Sequence, residues 1–172
     1  CNVLPYDAAT TPQVLLAALA DASATLARVS QADLRNTPVP DRRLRLGLLS
    51  GSFRSHPVGW LTVAGFETLD PEQFEIVCLS RAVSTSDPIT ARFRTLAHEW
   101  VDTDRLDDAA LTAAARQRDI DILIDLGGYG DGGRMAACAN RLAPVQIKWV
   151  GMQNHSTGLP EMDWFLTDRW ET

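Results

Sequence analysis

Beyond a proline-rich break at Asn36-Thr37-Pro38-Val39-Pro40, short apolar runs alternate with segments of helical pattern, and this alternation constrains the fold most. Leu44–Leu49, Phe74–Leu79, Trp100-Val101, Ile120–Leu126, Val145–Val150 and Trp164–Leu166 read as strands. Between them Val58–Leu69, Pro88–Ala97, Asp107–Arg118 and Gly133–Asn140 read as helices. Asp87 is a plausible cap, and Asp107 and Arg118 sit at the ends the helix dipole favours. Strands separated by helices pair in parallel and are covered on both faces. With the fixed hand of such crossovers, the expected fold is α/β: a Rossmann-like, doubly wound parallel sheet. Ahead of the break, Thr10–Gln31 reads as one more helix, with Thr11 as cap and Pro12 at its first position. The expected division is residues 1–40, helix and stiff linker, and residues 41–172, the α/β domain.

At 172 residues and 45% hydrophobic content, one domain with a real core is expected. The net charge of −6 argues against a nucleic-acid partner, which would need clustered Lys and Arg. The basic run Arg42-Arg43-Leu44-Arg45 reads as a solvated strand entry. Cys1, Cys78 and Cys138 form no CxxC pair, so buried free thiols in a reducing cytoplasm are expected. No apolar run approaches the roughly 18 residues of a membrane span, and no signal peptide is visible. No Cys or His cluster has zinc spacing. The chain begins on Cys1 without Met and stops soon after an apolar run, so a longer parent protein is expected.

Ligands of such sheets bind outside the carboxyl ends of the strands. Three loops there hold glycine, histidine and small polar residues. Ser50–Gly59 follows the first strand; Pro57 pre-sets a helix start and holds His56 just outside it, where the helix dipole favours a neutral imidazole. Gly127–Arg134 carries Gly128, Gly130 and Gly133 in a GxGxxG pattern, but after the fourth strand, with no ribose-binding carboxylate about 20 residues on. A close-approach turn, a tight turn and a dinucleotide site all stay open there. Gly151–Pro160 suits a hydroxyl-rich ligand or an ordinary turn, with His155 as a candidate. His98 ends a helix, where a histidine often only meets the dipole.

Taken in order, Phe53-Arg54-Ser55-His56-Pro57-Val58-Gly59, Phe74–Cys78, Asp119–Tyr129 and Arg141–Gly151 resemble the catalytic region of the protein O-GlcNAc transferase and SPINDLY family. Ser156–Trp164 continues the resemblance, closer to SPINDLY-like bacterial members. It implies the N-terminal lobe of a GT-B glycosyltransferase, with tetratricopeptide helices upstream and a nucleotide-binding C-terminal lobe downstream. It further implies a metal-independent, cofactor-free transfer of GlcNAc from UDP-GlcNAc to Ser or Thr of a protein or peptide acceptor. His56 matches the family's active-site HP histidine, and His98 a second cleft histidine. Pro57, Gly128, Tyr129 and Gly151 then fall to sugar or acceptor binding. Asp131 stands where the family often has Lys, and Met152-Gln153-Asn154-His155 where a Tyr-Pro pattern is usual. GDP-fucose as donor, or a non-catalytic binding module, are the alternatives.

Overall fold

The computed structural model describes residues 3–28, 34, 36, 39, 41–81, 86–130, 132–151 and 156–169. Asp131, the Met152–His155 stretch with its candidate His155, Cys1 and most of the proline-rich linker lie outside the described residues.

Six strands form one sheet in the order β3-β2-β1-β4-β5-β6, and every neighbouring pair is parallel. They are β1 (Leu44–Ser50), β2 (Phe74–Ser80), β3 (Glu99–Asp102), β4 (Ile122–Asp125), β5 (Val145–Trp149) and β6 (Trp164–Leu166). The helices are α1 (Pro12–Ala24), α2 (Pro57–Glu67), α3 (Pro88–Leu96), α4 (Asp108–Arg116) and the single turn α5 (Met135–Cys138). Thr11 and Asp87 cap as expected, each accepting a backbone N–H of the helix it opens, and Asp107, expected inside its helix, does the same one residue ahead of it.

Side chains of one strand alternate between the two faces, and each face carries its own core. Leu49, Val77, Leu79 and Leu123 pack with Leu111 and Ala115 of α4 and Cys138 of α5. Leu48, Ile76 and Cys78 pack with Val63 and Phe66 of α2 and Phe93 of α3. Cys78 and Cys138 are buried free thiols, and burial pushes both pKa values up.

Two helices are shorter than their sequence patterns. Thr25 caps α1 early, its hydroxyl donating to the Ala22 carbonyl at 2.7 Å. The chain then turns so that Leu26 packs on the first core and Arg28 meets Glu161 at 2.7 Å. Asn140 closes α5 by donating to the Ala136 carbonyl at 2.8 Å and to that of Ala27 at 3.0 Å. α1 is thus docked on the sheet domain: the fully buried Leu19 lies against Gly158, where an added Cβ would stand 2.7 Å from Leu19's carbonyl carbon.

Candidate functional site

The order of strands reverses between β1 and β4, and that switch point opens a crevice at the carboxyl edge of the sheet. A cavity of about 300 Å³ lies there. The β1–α2 connection supplies Ser52, His56, Pro57, Val58 and Leu61; the turn after β4 supplies Leu126, Gly127 and Gly130; the turn after β5 supplies Val150 and Gly151.

The β1–α2 loop is pinned from below. Phe53 is fully buried, 4.6 Å from Phe93 and 5.8 Å from Trp100 between ring centroids. Asp87 caps α3 and also accepts the Ser55 N–H at 2.9 Å. Desolvation opposes its ionisation, but the N–H groups of Thr90, Ser55 and Ile89 outweigh that and hold its carboxyl down to about 2. On this base the half-buried His56 caps α2: its Nδ1 accepts the Val58 N–H at 3.2 Å. An accepting Nδ1 bears no proton, which assigns the ring proton of a neutral His56 to Nε2. The helix start thereby fixes the tautomer, leaving Nε2–H as a donor.

The other walls present bare backbone at their glycines. Gly151 has φ 50°, and a Cβ there would stand 2.9 Å from the carbonyl carbon of Leu126. Gly128 has φ 55°, and its Cβ would stand 2.9 Å from the Gly151 oxygen and 3.2 Å from Cε of Lys148. Only glycine tolerates both the left-handed conformation and the contact. Val150 is also left-handed, at φ 48°, an outlier for a β-branched residue.

Beneath these turns lie two charged groups that sequence reasoning missed. Asp125 is wholly buried and accepts N–H bonds from Gly127 at 3.2 Å and Gly128 at 2.7 Å. Burial pushes its carboxyl up to about 6, against those N–H groups and the Lys148 charge. Lys148, its register partner on β5, is also buried and donates to the Val150 carbonyl at 2.6 Å. The available signal was charge inside an apolar run: Asp125 within Ile120–Leu126 and Lys148 within Val145–Val150.

The structure therefore brings His56, Pro57 and Gly151 to one cavity, with Gly128 packed against Gly151. It does not bring His98 there. The His98 N–H bonds the Ile76 carbonyl at 2.8 Å, four residues short of the carboxyl end of β2 at Ser80, so it lies about 13 Å back along the strand on an exposed edge. The reason is direction: α3 runs from the carboxyl edge back down the sheet and delivers its last residues to the opposite side. Tyr129 departs as well. Its half-buried ring packs on the first core, the face away from the α2 side of the sheet, and burial raises its phenol pKa.

The glycine turn is closed on itself. Gly130 N–H donates to the Gly127 carbonyl at 2.9 Å and Gly133 N–H to that of Gly130 at 3.0 Å, and only the four-residue α5 follows. With Gly127 and Gly128 held by Asp125, these four N–H groups are committed, which disfavours a pyrophosphate cradle. Among the described residues, no group of three or more His, Cys, Asp or Glu side chains could hold a metal ion, and no helix is long and apolar enough to cross a membrane.

Comparison with known proteins gives this geometry a context. A family model described as glycosyl transferase family 41 matches residues 20–172. The chain is 33% identical over 137 residues to the probable UDP-N-acetylglucosamine–peptide N-acetylglucosaminyltransferase SPINDLY of Arabidopsis thaliana, covering 77% of this chain and 15% of that protein. It is 29% identical over 129 residues to the probable enzyme of the same name, SEC, from the same plant, covering 75% of this chain and 13% of that one. A solved structure of a mutant Thermobaculum terrenum O-GlcNAc transferase superposes with a TM-score of 0.85 at 35% identity, over 95% of this chain and 32% of that one. The chain thus spans about one seventh of the length of these curated relatives.

Proposed function

The chain belongs to glycosyl transferase family 41, and on that premise we propose that it forms one wall of a cleft in which GlcNAc passes from UDP-GlcNAc to a Ser or Thr hydroxyl of a protein acceptor. The observation that carries the reading is the meeting of the His56 imidazole with the bare backbone of Gly127 and Gly151 in one cavity at the switch point. The relatives' names, which specify UDP-N-acetylglucosamine and a peptide, support the choice of donor and acceptor.

In the proposed step the acceptor oxygen attacks the anomeric carbon in line, the bond to the diphosphate breaks, and the hydroxyl proton leaves to a base or water. His56 stands beside the reacting sugar and acceptor, its Nε2–H able to donate to an oxygen of either. The C-terminal lobe holds the nucleotide and neutralises the leaving diphosphate. It closes on the side where Leu61 is 60% and Trp60 57% exposed. Upstream tetratricopeptide repeats present the acceptor, the reaction needs no metal or cofactor, and the protein works in the cytoplasm.

The test is mass spectrometry of a peptide pool incubated with the full-length protein and UDP-GlcNAc, with GDP-fucose in a parallel arm. The expected result is HexNAc on Ser or Thr, lost about a hundredfold or more in His56→Ala with its melting temperature unchanged. Fucose alone on the peptides would overturn the donor, and undiminished transfer by His56→Ala would remove the residue from the cleft.

A further inference from the structure

Both charged heads beneath the cavity reach the main chain of its rim. The Asp125 carboxylate holds the N–H groups of Gly127 and Gly128, on one side of the crevice. The Lys148 ammonium holds the Val150 carbonyl on the other, and lies 4.8 Å from the centroid of the Phe165 ring. Cross-strand register sets the two residues side by side, so two buried charges of opposite sign each hold one of the two turns.

An apolar pair of similar volume would be the cheaper way to fill this space, since desolvating two charges offsets most of their attraction. The β4–β5 ladder already joins the strands without them. What the charges add is control of backbone beyond the ladder's end. Val150 and Gly151 are both left-handed, and a β-branched residue keeps that conformation only where its surroundings hold it. A buried ammonium on the Val150 carbonyl is such a hold, and the Asp125 carboxylate does the same for the facing glycine turn.

We infer that Asp125 and Lys148 are positioning residues: acting as a pair, they set where the backbone of Gly127, Gly128 and Gly151 stands opposite His56, and hence where a sugar lies in the cavity. The kinetic consequence rests on the sugar-transfer reading; the geometric claim does not.

The full-length protein carries the test, in Lys148→Met and in the double variant Lys148→Met with Asp125→Asn. The single change strands a buried carboxylate and lowers both melting temperature and kcat. The double change removes both charges, so the melting temperature returns close to wild type. kcat stays about a hundredfold down, because the rim has moved, while KM for the donor changes far less. Joint recovery of melting temperature and kcat would reduce the pair to a stability role and overturn the inference. A crystal structure of the double variant reads the geometry without any reaction. Displacement of the Val150–Gly151 peptide from Gly128 is expected, and an unmoved peptide overturns the inference even if the wild type transfers no sugar.

Discussion

Asp121 and Asp125 flank β4, one at each end, and their surroundings drive them in opposite directions. Asp121, at the amino edge, is met by Arg42 at 2.5 and 2.6 Å, by Asn36 at 2.6 Å and by the Arg45 N–H at 2.9 Å. Desolvation works against its ionisation, but the Arg42 bonds, then those of Arg45 and Asn36, hold its carboxyl at about 2. Asp125, at the carboxyl edge, is buried with fewer donors and pushed up to about 6. The cavity at the amino edge, about 610 Å³, is larger than the one at the rim. Yet its three arginines are spent on carboxylates: Arg43 and Arg45 on Glu75, Arg42 on Asp121. Size alone would favour the amino edge of the sheet. An ion network stabilises the fold, whereas a cavity walled by turn backbone above a buried charge is what a ligand can meet.

The sharpest way to break this contrast is Gly151→Ala. It places a methyl group against the Leu126 carbonyl in a left-handed backbone, and should cost about 3 kcal/mol or more in urea unfolding. A cost below about 1 kcal/mol would mean that the rim yields easily and is no fixed wall.

The next effect is one of pH. Asp121 titrates lower in the folded chain than unfolded, so its contribution is full above about pH 4 and is lost as the pH falls toward 2. Asp121→Asn should therefore cost about 2 kcal/mol at neutral pH and almost nothing near pH 2. Asp125 has the reverse sign. Its unfolded form releases the proton near pH 4 and its folded form near 6, so stability falls as the pH rises through that window. Melting curves from pH 3 to 7 should lose that fall in Asp125→Asn; parallel profiles for wild type and variant would erase the difference between the two ends.

The smallest change sharpens the comparison from the other side. Asp119 is exposed and left-handed, with φ 48°, at the amino edge. Asp119→Gly should relieve that strain and gain about 0.5 kcal/mol, because glycine adopts the left-handed conformation without a Cβ penalty. A destabilisation in the same unfolding assay would show that this edge, too, depends on its turn geometry.

The strands were legible because a sheet buried on both faces writes itself as continuous apolar runs, and β1 and β2 extend beyond their runs only by Ser50 and Ser80. His56-Pro57 was legible for a local reason, a φ-fixing proline at a helix start that follows a strand. Asp125 and Lys148 were not, since facing each other is a matter of register between strands far apart in the chain. The place of His98, away from the cavity, follows from the direction of α3, which local pattern does not carry. The end of α1 failed because Arg28 and Leu26 found better partners in the sheet domain than another helical turn would offer.

The seat of Leu19 on Gly158 has a practical corollary for anyone trimming this protein. Expression boundaries drawn in the proline-rich stretch would strip away α1 and uncover the Gly158 backbone on which Leu19 packs. They would also leave the nearly buried Glu161 without the guanidinium of Arg28. Insoluble material from such a shortened clone would then report the missing helix rather than a defect in the sheet, and the smallest well-behaved piece begins ahead of Pro12.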